Sequence, residues 1–292
     1  MKILSLFDWM SCWQLAITNL WITDYTYYSS EIDKWAIQVT QENFPNTIQI
    51  WDVTKIRWEN YKDITLLAWW SPCQWFSFAW KQLNFEDERS KLFFEYVRIL
   101  KEVKPKYFLL ENVRMKKEYQ DVISEYLFWI QPTIINSSLL TAQNRLRLYR
   151  VWELQEDWTY KQVEIEQPED RWILLKDILE DEVDEKFYFE DRLWKQITWK
   201  NSLNKIRVSI RLPNEKGKCL TAWGQAIANA WATNIKLWNR LRKLTPIECE
   251  RLQWVRDWYT AWVSNSQRYK MLGNWWTVPV IEHILKHLNL NK

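Results

Sequence analysis

Residues 2–19 read Lys2-Ile3-Leu4-Ser5-Leu6-Phe7-Asp8-Trp9-Met10-Ser11-Cys12-Trp13-Gln14-Leu15-Ala16-Ile17-Thr18-Asn19. The apolar run from Ile3 to Phe7 has the length of a short buried strand. A loop follows it, then a helix over about 14–19. Strand, loop and helix in that order open an α/β unit, and the pattern repeats. Tyr25 to Glu31 is a second strand ending in an acid, and Lys34 to Asn43 is helical, with Pro45 closing that region. Thr47 to Asp52 is a third strand, again ending in an acid. Leu66 to Trp69 is a fourth, running into Ser71-Pro72-Cys73. A helix over 92–102 precedes a fifth strand, Tyr107 to Leu110, closed by Glu111-Asn112-Val113. Residues 118–126 are helical and 134–140 strand-like. This alternation predicts a mostly parallel α/β sheet. Asp8, Glu31, Asp52, Cys73 and Glu111 all fall at or just past the carboxyl end of an expected strand, the edge where open α/β sheets bind ligands.

After about residue 155 the alternation fades. Val151 to Asp191 holds 15 acids and 4 bases, and Arg192 to Lys218 holds 8 bases and 1 acid. A basic stretch of that kind can neutralise phosphates, although a solvated surface produces the same pattern. Thr245-Pro246-Ile247-Glu248 has the grammar of a helix start, with Thr as N-cap, Pro at N1 and Glu at N3. Val278 to Leu288 is a closing helix. The division expected is a catalytic and cofactor-binding domain over 1–155, a target-recognition domain over 156–269, and a C-terminal helix over 270–292 returning to the first.

The 292 residues are 47% hydrophobic with a net charge of +3. No apolar run approaches the roughly 18 residues of a membrane span, and the start lacks a signal-peptide pattern. A cytoplasmic location is expected. Cys12, Cys73, Cys219 and Cys249 form no CxxC pair, which argues against a zinc site or a disulfide framework. His283 and His287, at i and i+4, have no carboxylate motif beside them and read as exposed helix residues rather than metal ligands.

The composition is anomalous: 24 Trp and 3 Gly. Average usage of about 7% predicts roughly 20 glycines. Trp69-Trp70 occupies a tight-turn position, and Trp9 and Trp13 flank the loop after the first strand, where glycine is favoured. Most tryptophans therefore read as standing where the working protein has glycine. Some genetic codes read UGA as Trp and others as Gly.

With that substitution the motifs resemble, in order and spacing, those of DNA cytosine-5 methyltransferases. Phe7-Asp8-Trp9-Met10-Ser11-Cys12-Trp13 is similar to the first signature. Trp70-Ser71-Pro72-Cys73-Gln74-Trp75-Phe76-Ser77 resembles the Pro-Cys-Gln nucleophile loop. Glu111-Asn112-Val113 and Gln143-Asn144-Arg145-Leu146-Arg147 match two further signatures. Arg242 to Gln253 resembles the segment closing the recognition domain, and Gly273-Asn274 the last signature.

The resemblance implies a Rossmann-like S-adenosylmethionine-dependent sheet with helices on both faces, plus a smaller irregular target-recognition domain. It also implies methyl transfer from S-adenosylmethionine to C5 of a flipped-out cytosine in DNA. Cys73 matches the thiolate that adds at C6. Glu111 matches the carboxyl at cytosine N3, a task favoured by burial that raises its pKa. Arg145 and Arg147 match the arginines that hold the base and order the loop. Phe7, Asp8, Trp9, Cys12 and Trp13 fall in the donor signature, although the Cys12 thiol itself reads as structural, like Cys219 and Cys249. Glu31 matches the acid for the ribose hydroxyls, Ile32 lies against the adenine, and Asp52 recognises the adenine amino group. Pro72 and Asn274 complete the donor set. Gln74, Ser77, Lys195, Lys200, Lys205 and Arg207 are the DNA contacts expected.

Double-stranded DNA is then the partner, with a restriction endonuclease as a functional counterpart, no metal and a monomeric chain. Two other readings stay open: a tRNA cytosine-5 methyltransferase, and an inactive DNA-binding homologue should the tryptophans be literal.

Overall fold

The computed structural model describes residues 1–70, 88–190, 209–222, 232–238 and 240–290. Its chain divides into two compact units. The first contains Met1–Ile135, Leu146–Gln167 and Ile281–Lys292, and the second Asn136–Arg145 and Pro168–Val280.

The first unit is built on a sheet of eight strands among the described residues. Strands β1 (Lys2–Leu6), β2 (Thr26–Ser30), β3 (Ile48–Gln49), β4 (Leu66–Trp70) and β5 (Tyr107–Val113) pair in parallel, in the order β3-β2-β1-β4-β5. The order reverses between β1 and β4, so their carboxyl ends form the switch-point crevice of a doubly wound sheet. Helices α1 (Cys12–Asn19), α2 (Lys34–Asn43), α3 (Glu88–Val103) and α4 (Lys117–Tyr126) follow β1, β2, β4 and β5. The central strands are apolar along their length because a parallel sheet covered by helices buries both faces. Leu4, Leu67, Phe108 and Leu110 pack in one cluster with Phe93, Tyr96 and Leu100 of α3. Helix α2 begins where the sequence predicts, because the Asp33 carboxylate caps the backbone N–H groups of Trp35 and Ala36.

Several segments depart from the sequence expectation. Trp69 and Trp70, expected at a tight turn, lie within β4, where the buried Trp69 ring stacks on Tyr96 at 4.1 Å. The third strand shrinks to two residues, and Asp52 instead caps a 3-10 turn at Val53–Lys55. The stretch 134–140 splits into β6 (Thr133–Asn136) and a 3-10 turn, since the Asn136 side chain accepts the Ser138 N–H. Leu146–Leu154 forms a nine-residue strand, here numbered β8, that runs antiparallel to β5 and to the short β9 (Tyr160–Gln162), and neither has a counterpart in the sequence reading.

The second unit holds a small sheet of β10 (Ile210–Arg211), β12 (Asn234–Leu237) and β13 (Arg240–Lys243), and a pairing of β7 (Gln143–Asn144) with β11 (Gly217–Lys218). Helix α5 (Pro246–Leu252) starts with the predicted reciprocal cap: Thr245 accepts from the Glu248 N–H, and Glu248 accepts from the Thr245 N–H. The Glu248 carboxylate also takes both terminal nitrogens of fully buried Arg242, at 2.7 and 2.6 Å. Among the described residues two further helices follow, α6 (Asn265–Asn274) in this unit and α7 (Val278–Leu285), which crosses into the first unit and is three residues shorter than expected. Among the described residues no helix is long and apolar enough to cross a membrane.

Candidate active site

The loop after β1 is held in an unusual shape. Phe7, Trp9 and Ser11 all have positive φ, at 56°, 51° and 60°. That conformation opposes ordinary side chains and needs over-determining contacts. Here they come from buried polar groups. Asp8 accepts from the Tyr27 hydroxyl and from Ser11 Oγ, both at 2.6 Å. Thr40 of α2 donates to the Trp9 carbonyl at 3.2 Å. Glu31 accepts the Trp9 N–H through Oε2 at 2.9 Å, and the N–H groups of Ile32 and Asp33 through Oε1, each at 2.8 Å. Burial pushes the Asp8 carboxyl above its ordinary range, against the opposing pull of surrounding hydroxyls. Glu31 is likewise raised by burial, despite its backbone donors.

Ile32, beside buried Glu31, is 73% exposed. Asp52 stands past β3, partly exposed, and Thr54 holds its carboxyl below the usual range through two hydrogen bonds. Cys12 and Trp13 are buried at the start of α1. Carboxylates at the ends of two neighbouring strands, with an exposed isoleucine between them in sequence, can accept from hydroxyl or amine groups and offer an apolar face to a planar ligand.

Farther along the same edge, Glu111 lies near the end of β5, opposite Trp70 in β4 and Tyr149 in β8. Its buried carboxylate receives Arg147 Nε at 2.9 Å. The chain leaves β4 at Trp70, three residues before Cys73. Asn112 accepts from Arg150 at 3.3 Å, and Arg150 also reaches the Gln120 carbonyl and Ser124 of α4.

Arg145 and Asn274 belong to the second unit. Arg145 is buried and donates to the carbonyls of Leu220, Gly273 and Trp275, at 3.0, 3.3 and 2.6 Å. Gln143 donates to Gln253 and to the Leu252 carbonyl and accepts the Leu220 N–H. These bonds tie three motif segments of that unit together. Asn274 ends α6. His283 Nε2 lies 2.7 Å from the Glu166 carbonyl, and burial lowers its pKa. Pro72, Cys73, Gln74, Ser77, Lys195, Lys200, Lys205 and Arg207 lie outside the described residues.

Sequence reasoning singled out Asp8, Glu31, Glu111 and Arg147 as candidates, but not the side chains that touch Asp8 and its loop. Tyr27 and Thr40 carry no local mark of a role. Tyr27 looks like any strand tyrosine until β2 pairs with β1.

The profile of the C-5 cytosine-specific DNA methylase family matches residues 1–289. The chain is 31% identical over 284 residues to the type II methyltransferase M1.ScrFI of Lactococcus lactis subsp. cremoris, spanning 89% of this chain and 71% of that protein. It is 30% identical over 314 residues to the type II methyltransferase M.NlaX of Neisseria lactamica, spanning 98% and 96%. Among solved structures, the Entamoeba histolytica methyltransferase EhMeth superposes with a TM-score of 0.80 at 19% identity, over 98% of this chain and 97% of that one. A Spodoptera frugiperda DNMT2 variant does so with a TM-score of 0.77 at 22% identity, over 98% of each. Those two likenesses show a shared fold.

Proposed function

Because the chain belongs to the C-5 cytosine-specific DNA methylase family, we propose that it methylates C5 of cytosine in duplex DNA through a covalent adduct of Cys73 on a flipped-out base. The observation that carries this reading is the buried Glu111–Arg147 pair at the carboxyl edge of β5, beside the strand that leads into Pro72-Cys73.

S-adenosylmethionine supplies an electrophilic methyl group on a sulfonium. In this reading the donor lies on the loop after β1, with Phe7, Asp8, Trp9, Cys12 and Trp13 shaping the pocket. Glu31 faces the ribose, Ile32 the adenine and Asp52 the adenine amino group, and Pro72 and Asn274 complete the set. Cytosine C5 is a weak nucleophile until its ring is activated. Addition of the Cys73 thiolate at C6 turns C5 into an enamine-type carbon. Glu111 offers its carboxyl to N3, which takes up the electron density that the addition pushes into the ring. Arg147 orients Glu111. Once C5 has taken the methyl group, which would leave the donor sulfur as a neutral thioether, loss of the C5 proton to a base and expulsion of the thiolate restore the aromatic ring and free Cys73. The base has to leave the stack for the thiolate to reach C6.

Residues 1–155 carry the chemistry, 156–269 the target recognition, and 270–292 the return to the catalytic part. The basic residues Lys195, Lys200, Lys205 and Arg207, with Gln74 and Ser77, contact DNA. The curated relatives named above are type II methyltransferases, which favours a modification enzyme paired functionally with a restriction endonuclease; in this reading it works as a monomer in the cytoplasm.

The test is methyl transfer from labelled donor to duplex DNA, with tRNA as the competing substrate. Cys73→Ser is expected to abolish transfer while still binding the donor. Transfer by that variant would end the covalent mechanism, and preferential labelling of tRNA would move the substrate from DNA to RNA.

A further inference from the structure

Fourteen non-glycine residues of the described chain have positive φ, and nine of them are tryptophan: Trp9, Trp21, Trp51, Trp129, Trp158, Trp172, Trp238, Trp254 and Trp258. With 24 tryptophans in 292 residues, chance would put about one among fourteen such positions, and bulky side chains are disfavoured there in any case. All but Trp9 are exposed, from 40% at Trp254 to 94% at Trp238. Lys104 lies over the Trp158 ring and Arg268 over the Trp258 ring, but none of these eight exposed indoles is held in a core that would dictate the backbone shape.

The surrounding hydrogen bonds define the motifs. After α1, the Trp21 N–H bonds to the Thr18 carbonyl and the Ile22 N–H to the Ile17 carbonyl. After α5, the Trp254 N–H bonds to the Arg251 carbonyl and the Val255 N–H to the Glu250 carbonyl. Both are complete Schellman caps with tryptophan at C′, the left-handed position that glycine fills in most helices ending this way. Trp158 follows Asp157 in the turn where Gln155 and Thr159 bond, and the Asp157 side chain accepts the Thr159 N–H. Asp-Gly is the usual pair at such a hairpin turn. Trp238 follows β12 directly, in the two-residue connection from Leu237 to Arg240. Four positions in four separate elements thus carry glycine grammar, independently of any catalytic motif.

We infer that these nine tryptophans are glycine in the working protein, encoded by UGA codons that its source decodes as glycine. The partner implied is a glycine-charged tRNA that reads UGA. A cell lacking one makes the strained chain or none. The donor loop of the functional enzyme then has glycine at position 9, where the backbone turns with φ 51° beside Glu31.

The test reads the nine codons and compares two full-length chains made from synthetic genes in a standard-code host, one with all nine tryptophans and one with all nine changed to glycine. UGA codons, with a melting temperature raised in the glycine chain by on the order of 10 °C or more, are expected. UGG codons, or no rise in melting temperature, would overturn the inference. If the all-tryptophan chain does not fold, leaving Trp21, Trp158 or Trp238 unchanged one at a time in the glycine background keeps the comparison readable. Each is expected to lower the melting temperature by a few degrees, and no drop at any of the three counts against the inference. Melting is measured without DNA or donor, so the result is independent of the catalytic proposal.

Discussion

Arg147 Nε lies 2.9 Å from Glu111 Oε1, in a pair whose side chains are 14% and 2% exposed. A buried carboxylate without its guanidinium is uncompensated, so Arg147→Ala is expected to destabilise the protein by about 3–5 kcal/mol in denaturant unfolding. Glu111→Gln keeps the shape and one acceptor but has no proton to share. It should lower kcat for methyl transfer by about 10²- to 10⁴-fold, assayed well below the melting point, with donor affinity unchanged. A variant retaining wild-type kcat would remove Glu111 from the chemistry.

Asp8 gives a pH signature. Burial raises its folded pKa above the ordinary value of 3.8, so the folded chain binds more protons than the unfolded one between those two values. By linkage, stability contributed by this group falls as pH rises from about 4 through the folded pKa and is level beyond it. Asp8→Asn cannot titrate. Melting curves of both proteins from pH 4 to pH 8 should show the wild type losing ground relative to the variant as pH rises. Parallel curves would show that the carboxyl is ionised in the same range folded and unfolded.

Gly273 packs directly on another backbone. A Cβ built there would meet the Thr221 carbonyl carbon and oxygen at 2.1 Å. The backbone has no flexible end to move aside, so Gly273→Ala should destabilise by at least about 2 kcal/mol. The Gly273 carbonyl also accepts from Arg145, so the displaced helix end takes the Arg145 hydrogen bonds with it. Comparable destabilisation is expected from Arg145→Lys, which keeps the charge and loses the fork geometry. Chemical denaturation measures both, and a neutral alanine variant would contradict the packing.

Neutralising Lys195, Lys200, Lys205 and Arg207 together should weaken duplex binding uniformly across sequences. If all four contact phosphates, the salt dependence of log K should flatten by about 3 to 4. Fluorescence anisotropy of a labelled duplex across a salt series measures it. Unchanged duplex affinity would remove this stretch from the DNA interface.

Much of the fold was legible because its signals are local. The apolar runs 3–7, 66–69 and 107–110 mark strands by length and composition. Thr245 and Glu248 mark a helix start because a cap acts within one turn. The acids at strand ends pointed to the ligand edge, since a parallel sheet turns all those ends one way. Local pattern failed where pairing is distant. Leu146–Leu154 carries Arg147, Arg150 and Glu153 at every third position, which matches no strand period, and Arg150 is fully buried because α4 supplies partners for it.

Sequence by itself determined the α/β class and the family, and singled out Asp8, Glu31, Glu111 and Arg147 as candidates, since these depend on residue type and spacing along one chain. Only the tertiary structure decided that β8 runs antiparallel beside β5 and brings Arg147 to Glu111. It alone set Tyr27 against Asp8 and placed nine tryptophans in backbone shapes made for glycine. Those relationships depend on which strands neighbour one another and on the sign of φ, and neither is written in the chemistry of a single position.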